Sequence, residues 1–275
     1  MNKKMSRRKV TVLFKYIFLI LVSIISIFPL YWMIVSGTNR SVDVIAGRMI
    51  PGTYLLENLR SLLDTTILST AMLNSIRNAL VSTILNVLVC SVAGYGFEKY
   101  RDKKKDHLMS VLLLSMMVPT AATVIPLFRM FGQIGLLNTT VGCILPTVST
   151  AFMIFMFRQA ARSFPDEIIE AARIDGVGEW GIYFKMFFPI MKSTYAAAAI
   201  VSFMNAWNSY MWPLIVLQDE NAKTMPILIS GLTSRYTIDY GSMMLAVTIS
   251  TIPMLIIFFV LQKNFVEGIT GSVKS

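Results

Sequence analysis

The chain is 275 residues long, 55% hydrophobic and only 15% charged, with a mean hydropathy of +0.64. Water-soluble chains carry about 25% charged residues, so this composition excludes a disordered protein and argues against a soluble enzyme. The net charge of +10 must be read from its placement, because basic residues gather for nucleic acid and for membrane topology alike.

Six windows, residues 16–36, 78–97, 108–128, 137–157, 193–217 and 240–262, contain no Asp, Glu, Lys, Arg or His. A helix of about 20 residues spans the hydrocarbon core, and a charge at its centre costs about 2.5–3.5 kcal/mol on insertion scales. The pattern predicts an all-α polytopic membrane protein with six transmembrane helices. The first window follows Lys3, Lys4, Arg7, Arg8 and Lys9. Its apolar run is too long for a secretory signal, and no small-x-small cleavage site precedes Ser36-Gly37, so it reads as a retained helix. Cys90 and Cys143 fall inside windows and imply no disulfide framework. The single histidine, His107, reads as a plain residue at the edge of the third window.

Connecting segments on the N-terminal side carry 18 Lys and Arg, and those on the opposite side carry 7 over nearly the same length. The positive-inside rule then puts both termini in the cytoplasm. The division is a cytoplasmic segment 1–15, a six-helix transmembrane domain 16–262 containing a loop 158–192, and a cytoplasmic tail 263–275. The basic excess is thereby a topology signal directed at membrane lipid, with no need for nucleic acid. The absence of any ionisable Asp, Glu or His from the windows argues against an ion-coupled carrier and an intramembrane hydrolase.

Pro29, Pro119, Pro126, Pro146, Pro213 and Pro253 lie within the windows. They read either as ordinary kinks or as parts of a gated pathway. The fifth window opens with small residues from Ala196 to Ala199, which allow close helix approach. It then turns polar and aromatic at Phe203, Asn205, Trp207, Asn208, Tyr210 and Trp212. Amides beside aromatic faces suit a neutral, hydroxyl-rich solute. Asn205, Trp207, Asn208 and Tyr210 are therefore candidate solute-path residues, and interhelical amide bonds with an aromatic belt are the alternative.

Loop 158–192 predicts a short amphipathic helix. Pro165 suits the first helical position, Asp166 and Glu167 favour the positive helix N-terminus, and Gly176 suits a C-terminal stop. Ala171 and Ala172 would let another surface approach, with Glu170 and Arg173 free to pair. A second short helix over 178–187 would lead to Pro189. The five acids of the loop fit poorly against an anionic leaflet, so a protein docking site is favoured.

Glu170-Ala171-Ala172, Gly176 three residues on, and Pro189 at the end of the loop resemble a known signature. It is that of the integral-membrane permease subunits of binding-protein-dependent ABC importers, which reads Glu-Ala-Ala, three residues, Gly, nine residues, Ile-x-Leu-Pro. Met186 and Phe188 replace the usual Ile and Leu, and both stay apolar. The carbohydrate subfamily, and within it the second maltose permease subunit, is similar from about Asn74 onward. The shared stretches include Ala93-Gly94-Tyr95-Gly96-Phe97, Ile125-Pro126-Leu127, Trp207-Asn208, Trp212-Pro213-Leu214 and Asn264-Phe265-Val266-Glu267-Gly268.

The resemblance implies a coupling helix between spans four and five that seats in a separate ATPase, with Glu170, Ala171, Ala172, Asp175, Gly176 and Pro189 as its signature residues. It implies a second homologous permease, two ATPase subunits and an extracytoplasmic solute-binding protein that delivers a sugar. The sequence contains no Gly-x4-Gly-Lys-Ser/Thr phosphate loop. ATP and Mg are accordingly expected on the partner ATPase, with no cofactor, metal site or catalytic residue on this chain. A permease for another solute, such as a phosphorylated polyol or a peptide, stays open. A membrane scaffold or enzyme is the remaining alternative.

Overall fold

The computed structural model describes residues 2–234 and 236–271, and among these no strand occurs. In chain order the helices are α1 (Asn2–Ser36), α2 (Ser41–Ile45), α3 (Leu55–Thr65), α4 (Leu68–Lys99) and α5 (Lys103–Ser115). They continue as α6 (Thr120–Gln133), α7 (Thr140–Ile144), α8 (Ala151–Arg162), α9 (Asp166–Ile174) and α10 (Glu179–Ile182). The last are α11 (Phe188–Ile190), α12 (Lys192–Trp207), α13 (Met211–Val216), α14 (Met225–Thr233) and α15 (Tyr240–Gly271). A 3₁₀ turn, Leu145–Thr147, joins α7 towards α8, and a π turn, Tyr183–Phe187, joins α10 to α11. The helices fall into two compact units, Met1–Thr66 with Ile229–Thr251, and Ile67–Leu228 with Ile252–Ser275.

Among the described residues, three stretches are long and apolar enough to cross a membrane without a break: Thr11–Ser36, Leu68–Lys99 and Tyr240–Gln262. The windows at 108–128, 137–157 and 193–217 are not single helices. α5 meets α6 at 100°, the Thr140–Thr147 stretch meets α8 at 48°, and the Glu179–Ile190 stretch meets α12 at 80°. Six spans result if each bent pair counts as one. Proline explains two of the breaks. Pro119 disfavours a helical Val118, so α5 closes with short-range bonds such as Met116 N to Leu113 O before α6 restarts. Pro146 has no N–H and leaves the Gly142 carbonyl without its helical donor. α12 stops at Trp207, and the expected continuation to residue 217 is instead a separate helix, α13. α4 begins at Leu68, ten residues before the charge-free window 78–97.

In the unit built from the chain's N-terminus, polar groups fasten the region after α1. Asn39 Nδ2 donates to the Val35 and Ile50 carbonyls, both at 3.0 Å, and Asn58 Nδ2 donates to the Gly37 and Asn39 carbonyls at 2.9 Å. Asp239 accepts from the Ser41 and Ser242 hydroxyls at 2.8 and 2.6 Å, which fixes the start of α15.

The other unit is organised on α4. Gly94 lies so close to α8 that a Cβ there would stand 2.6 Å from Phe157 Cβ and 2.7 Å from the Arg158 nitrogen. Below this crossing lies a core that includes Tyr95, Phe157, Phe164, Tyr183, Phe187 and Tyr195.

Candidate functional site

The signature loop forms α9, with Ile169 and Ala172 buried against that aromatic core and Glu170, Ala171, Ile174 and Asp175 exposed. Pro165 is the N-cap, at φ −62° and ψ 133°, one position earlier than the first helical position expected of it. Gly176 ends the helix at φ +77°. Its N–H bonds the Arg173 carbonyl at 3.0 Å, and the Val177 N–H bonds the Ala172 carbonyl at 2.9 Å. This pair of bonds is a Schellman cap, which needs the left-handed conformation that glycine adopts without a Cβ penalty.

Two expectations for the loop are corrected. Ala172 is 4% exposed and packs inside its own chain, so of the two alanines only Ala171 offers a free surface. Arg173 is not free to pair with a partner. Its guanidinium holds both oxygens of Glu179, at 2.8 and 3.2 Å, and Tyr100 donates to the same carboxylate. The Arg173 bonds, helped by Tyr100, hold the Glu179 carboxyl below the usual carboxylate range.

Glu170, in contrast, makes no ion pair among the described residues. It borders a polar cleft of about 270 Å³ shared with Glu98, Lys99, Arg162 and Asp166. Ile174 is 86% exposed, Trp180 66% and Phe184 54%. The two aromatic rings stack at 6.1 Å. Water does not stabilise three large apolar groups displayed beside unpaired charge, and such a patch marks an interaction surface. The sequence reading missed Trp180 and Phe184. Their i, i+4 spacing was the available signal. Pro189 sits exposed within α11.

Inside the membrane windows, one face of α4 carries Asn74, Asn78, Ser82, Asn86 and Cys90, each four residues apart and all buried. This row supplies hydrogen bonds to backbone at the break after Thr147 and at the turn of residues 221–223. Asn86 Nδ2 donates to the Thr147 carbonyl at 2.7 Å. The Thr147 hydroxyl spends its proton on the Ile144 carbonyl, so Ser82 Oγ donates to Thr147 Oγ1 at 2.5 Å. Asn74 Nδ2 reaches the Asn221 and Lys223 carbonyls at 2.8 and 3.1 Å. The Gly142 carbonyl orphaned by Pro146 accepts from Trp212 Nε1 at 3.1 Å.

A small cavity of about 20 Å³ opens beside this row, with Ser75, Asn78, Thr147, Trp207 and Thr224 in its wall. Asn78 Oδ1 and Thr224 Oγ1 are buried there without a protein partner. The space suits one water or one hydroxyl group.

The four candidate path residues do not share this cavity. Trp207 is buried, stacked on Phe203 at 5.7 Å, and forms part of the wall. Asn205, Asn208 and Tyr210 lie exposed, and the side-chain amides of Asn205 and Asn208 bond to no described residue. Cys90 and Cys143 are free thiols. No group of three or more His, Cys, Asp or Glu suited to a metal occurs among the described residues.

Residues 87–271 match the family described as binding-protein-dependent transport system inner membrane component. That stretch includes α9, the breaks and, of the α4 row, Cys90 alone. The chain belongs to this family. As a member, it is a membrane protein and a permease subunit of an importer. Relatives along the whole chain agree. It is 45% identical over 268 residues to the lactose transport system permease protein LacG of Rhizobium radiobacter, covering 98% of each chain. It is 30% identical over 272 residues to the sn-glycerol-3-phosphate transport system permease protein UgpE of Escherichia coli K12, covering 95% of this chain and 97% of that one. Among solved structures it shares the fold of a bacterial ABC transporter involved in the import of the acidic polysaccharide alginate. The TM-score there is 0.81 at 19% identity, over 94% of this chain and 97% of that chain.

Proposed function

We propose that this permease forms half of the translocation pathway for a sugar, and that ATP drives it through a separate ATPase docked on α9. The single observation that carries the coupling reading is one exposed surface, made by Glu170 and Ile174 on α9, whose end is fixed by Gly176, and by Trp180 and Phe184 on the segment that follows. Ala171 permits close approach, Ala172 and Gly176 hold the helix on its own core, and Asp175 and Pro189 shape the flanks. A second homologous permease supplies the other half of the pathway, two ATPases bind ATP and Mg, and an extracytoplasmic protein delivers the solute. Closure of the ATPases turns the pathway from inward- to outward-facing as the receptor releases its load. The topology proposed is six spans within 16–262, with 1–15, the loop 158–192 and 263–275 in the cytoplasm. The outer segment 218–239 is available to the receptor.

Sugar is preferred because the relative at 45% identity is named for lactose and because the windows hold no cation. A phosphorylated solute calls for Lys or Arg along its route. The relative at 30% identity named for glycerol phosphate supports that second reading. Asn205, Trp207, Asn208 and Tyr210 are the proposed path residues.

The test of coupling is Glu170→Lys in the assembled transporter. It should abolish uptake and weaken ATPase association while the permease itself stays folded. Uptake and association at wild-type levels would refute the docking role. Competition of labelled lactose uptake by other sugars and by glycerol phosphate separates the two solute classes.

A further inference from the structure

A second row of α4 residues, Ser91, Tyr95 and Lys99, repeats every four positions and meets the coupling segment at three heights. At the cytoplasmic end, Lys99 Nζ donates to the Phe164 carbonyl and to Asp166 Oδ1, each at 2.6 Å. The Lys99 side chain is only 6% exposed, so its charge depends on those two acceptors. Both lie at the entry to α9. In the middle, the Tyr95 ring packs against Tyr183 at 5.4 Å and Phe187 at 4.8 Å. Deepest, Ser91, Tyr183 and Tyr195 form a buried line of hydroxyls, with oxygens 2.6 and 2.9 Å apart.

Proton accounting gives that line a direction. Ser91 Oγ donates to the Leu88 carbonyl at 3.0 Å, so it can only accept from Tyr183. Tyr183, its proton spent, can only accept from Tyr195. One chain of donation therefore runs from α12 through the coupling segment to α4. Tyr183 reaches the middle of this line because it starts the π turn, the one place where the connection from α10 to α11 is wound wider than an α-helix.

We infer that Lys99 and the Tyr195–Tyr183–Ser91 hydroxyl line are positioning residues that clamp the coupling segment to α4 and α12. Movement of α9 is thereby delivered to α4, whose other row holds the broken backbone at Thr147. This inference rests on the coupling reading of α9 above. Two polar ties at different depths, with a ring contact between them, resist both sliding and rotation of the segment. A purely apolar contact would resist neither strongly, because it is non-directional.

The test uses the complete transporter with its partner permease, ATPases and binding protein in proteoliposomes, reading ATP hydrolysed per solute molecule imported. Tyr183→Phe and Lys99→Met should each raise that ratio roughly fivefold, with the amount of assembled complex unchanged. Lys99→Arg should restore most of the coupling. Tyr195→Phe should do less than Tyr183→Phe, since it leaves one acceptor unfilled while Tyr183→Phe leaves both an acceptor and a donor. A wild-type ratio in Tyr183→Phe and Lys99→Met would overturn the clamp. Failure of both to assemble would also overturn it, by making these residues structural only. Glu170→Lys, run alongside, keeps the two ideas apart. Blocked transport there with a normal Tyr183→Phe ratio sinks the clamp alone, and normal transport in Glu170→Lys sinks the coupling reading beneath it.

Discussion

α1 and α4 are both long and apolar, at 35 and 32 residues, yet they are made for different surroundings. The most apolar 18-residue window of α1 has a hydropathy of 2.5 and none of that window is buried, whereas the corresponding window of α4 has a hydropathy of 1.8 and is 44% buried. From Thr11 to Leu30, α1 shows exposed side chains on every face. A helix apolar all round is matched by lipid or by another chain's apolar surface. α4 trades apolarity for two rows of polar groups, one answering backbone freed at the breaks and one holding the coupling segment. Hydropathy alone ranks α1 as the better membrane helix. The lower value of α4 marks the helix that organises its unit.

The sharpest break of this contrast is Gly94→Ala. A Cβ that would sit 2.6 Å from Phe157 Cβ and 2.8 Å from the Ile154 carbonyl forces α4 away from α8. The cost should be roughly 1–3 kcal/mol, read as a lower melting temperature of the purified protein. A comparable trimming in α1, Ile24→Ala at a site 61% exposed, should stay within about 0.5 kcal/mol. Next is Asn86→Leu, which strips the Thr147 carbonyl of its donor. A buried acceptor left alone costs about 1–3 kcal/mol, and the same melt reads it.

Gly176→Val comes third. A β-branched residue at φ +77° is strained by roughly 1–2 kcal/mol, which frays the end of α9. Uptake should fall sharply while the melting temperature moves little, and normal uptake would make the cap incidental.

The smallest effect is a pH dependence. The folded Glu179 carboxyl titrates below its unfolded value because Arg173 and Tyr100 bond its ionised form. The pair therefore stabilises the loop at every pH above the unfolded carboxylate value, about 4.3, and loses that contribution as pH falls through the lower folded value. Hydrogen-exchange protection of residues 173–179 should hold from neutral pH down to about 5 and drop only below about 4.

Much of this was readable in the residues. The charge-free windows, the long apolar first helix and the stop at Gly176 follow from composition, spacing and local chemistry. The bends at Pro119 and Pro146 were marked by the prolines themselves. Their size was not, because a hydropathy window sums side chains and is blind to which carbonyl loses its donor. The Asn74, Asn78, Ser82, Asn86 row was visible as an i, i+4 pattern, and its purpose emerges only once Thr147 is seen opposite it. The Arg173–Glu179 pair could not be read, since it depends on how tightly the chain turns after Gly176. For the same reason the expectation that Arg173 would be free failed.

The most direct test of the central claim is recovery of this chain from its native membrane in mild detergent, with every co-purifying subunit identified. The account predicts a second permease, an ATPase and a solute-binding protein, with the ATPase lost from the Glu170→Lys variant. Recovery of the chain alone, under conditions that hold comparable transporters together, would contradict it.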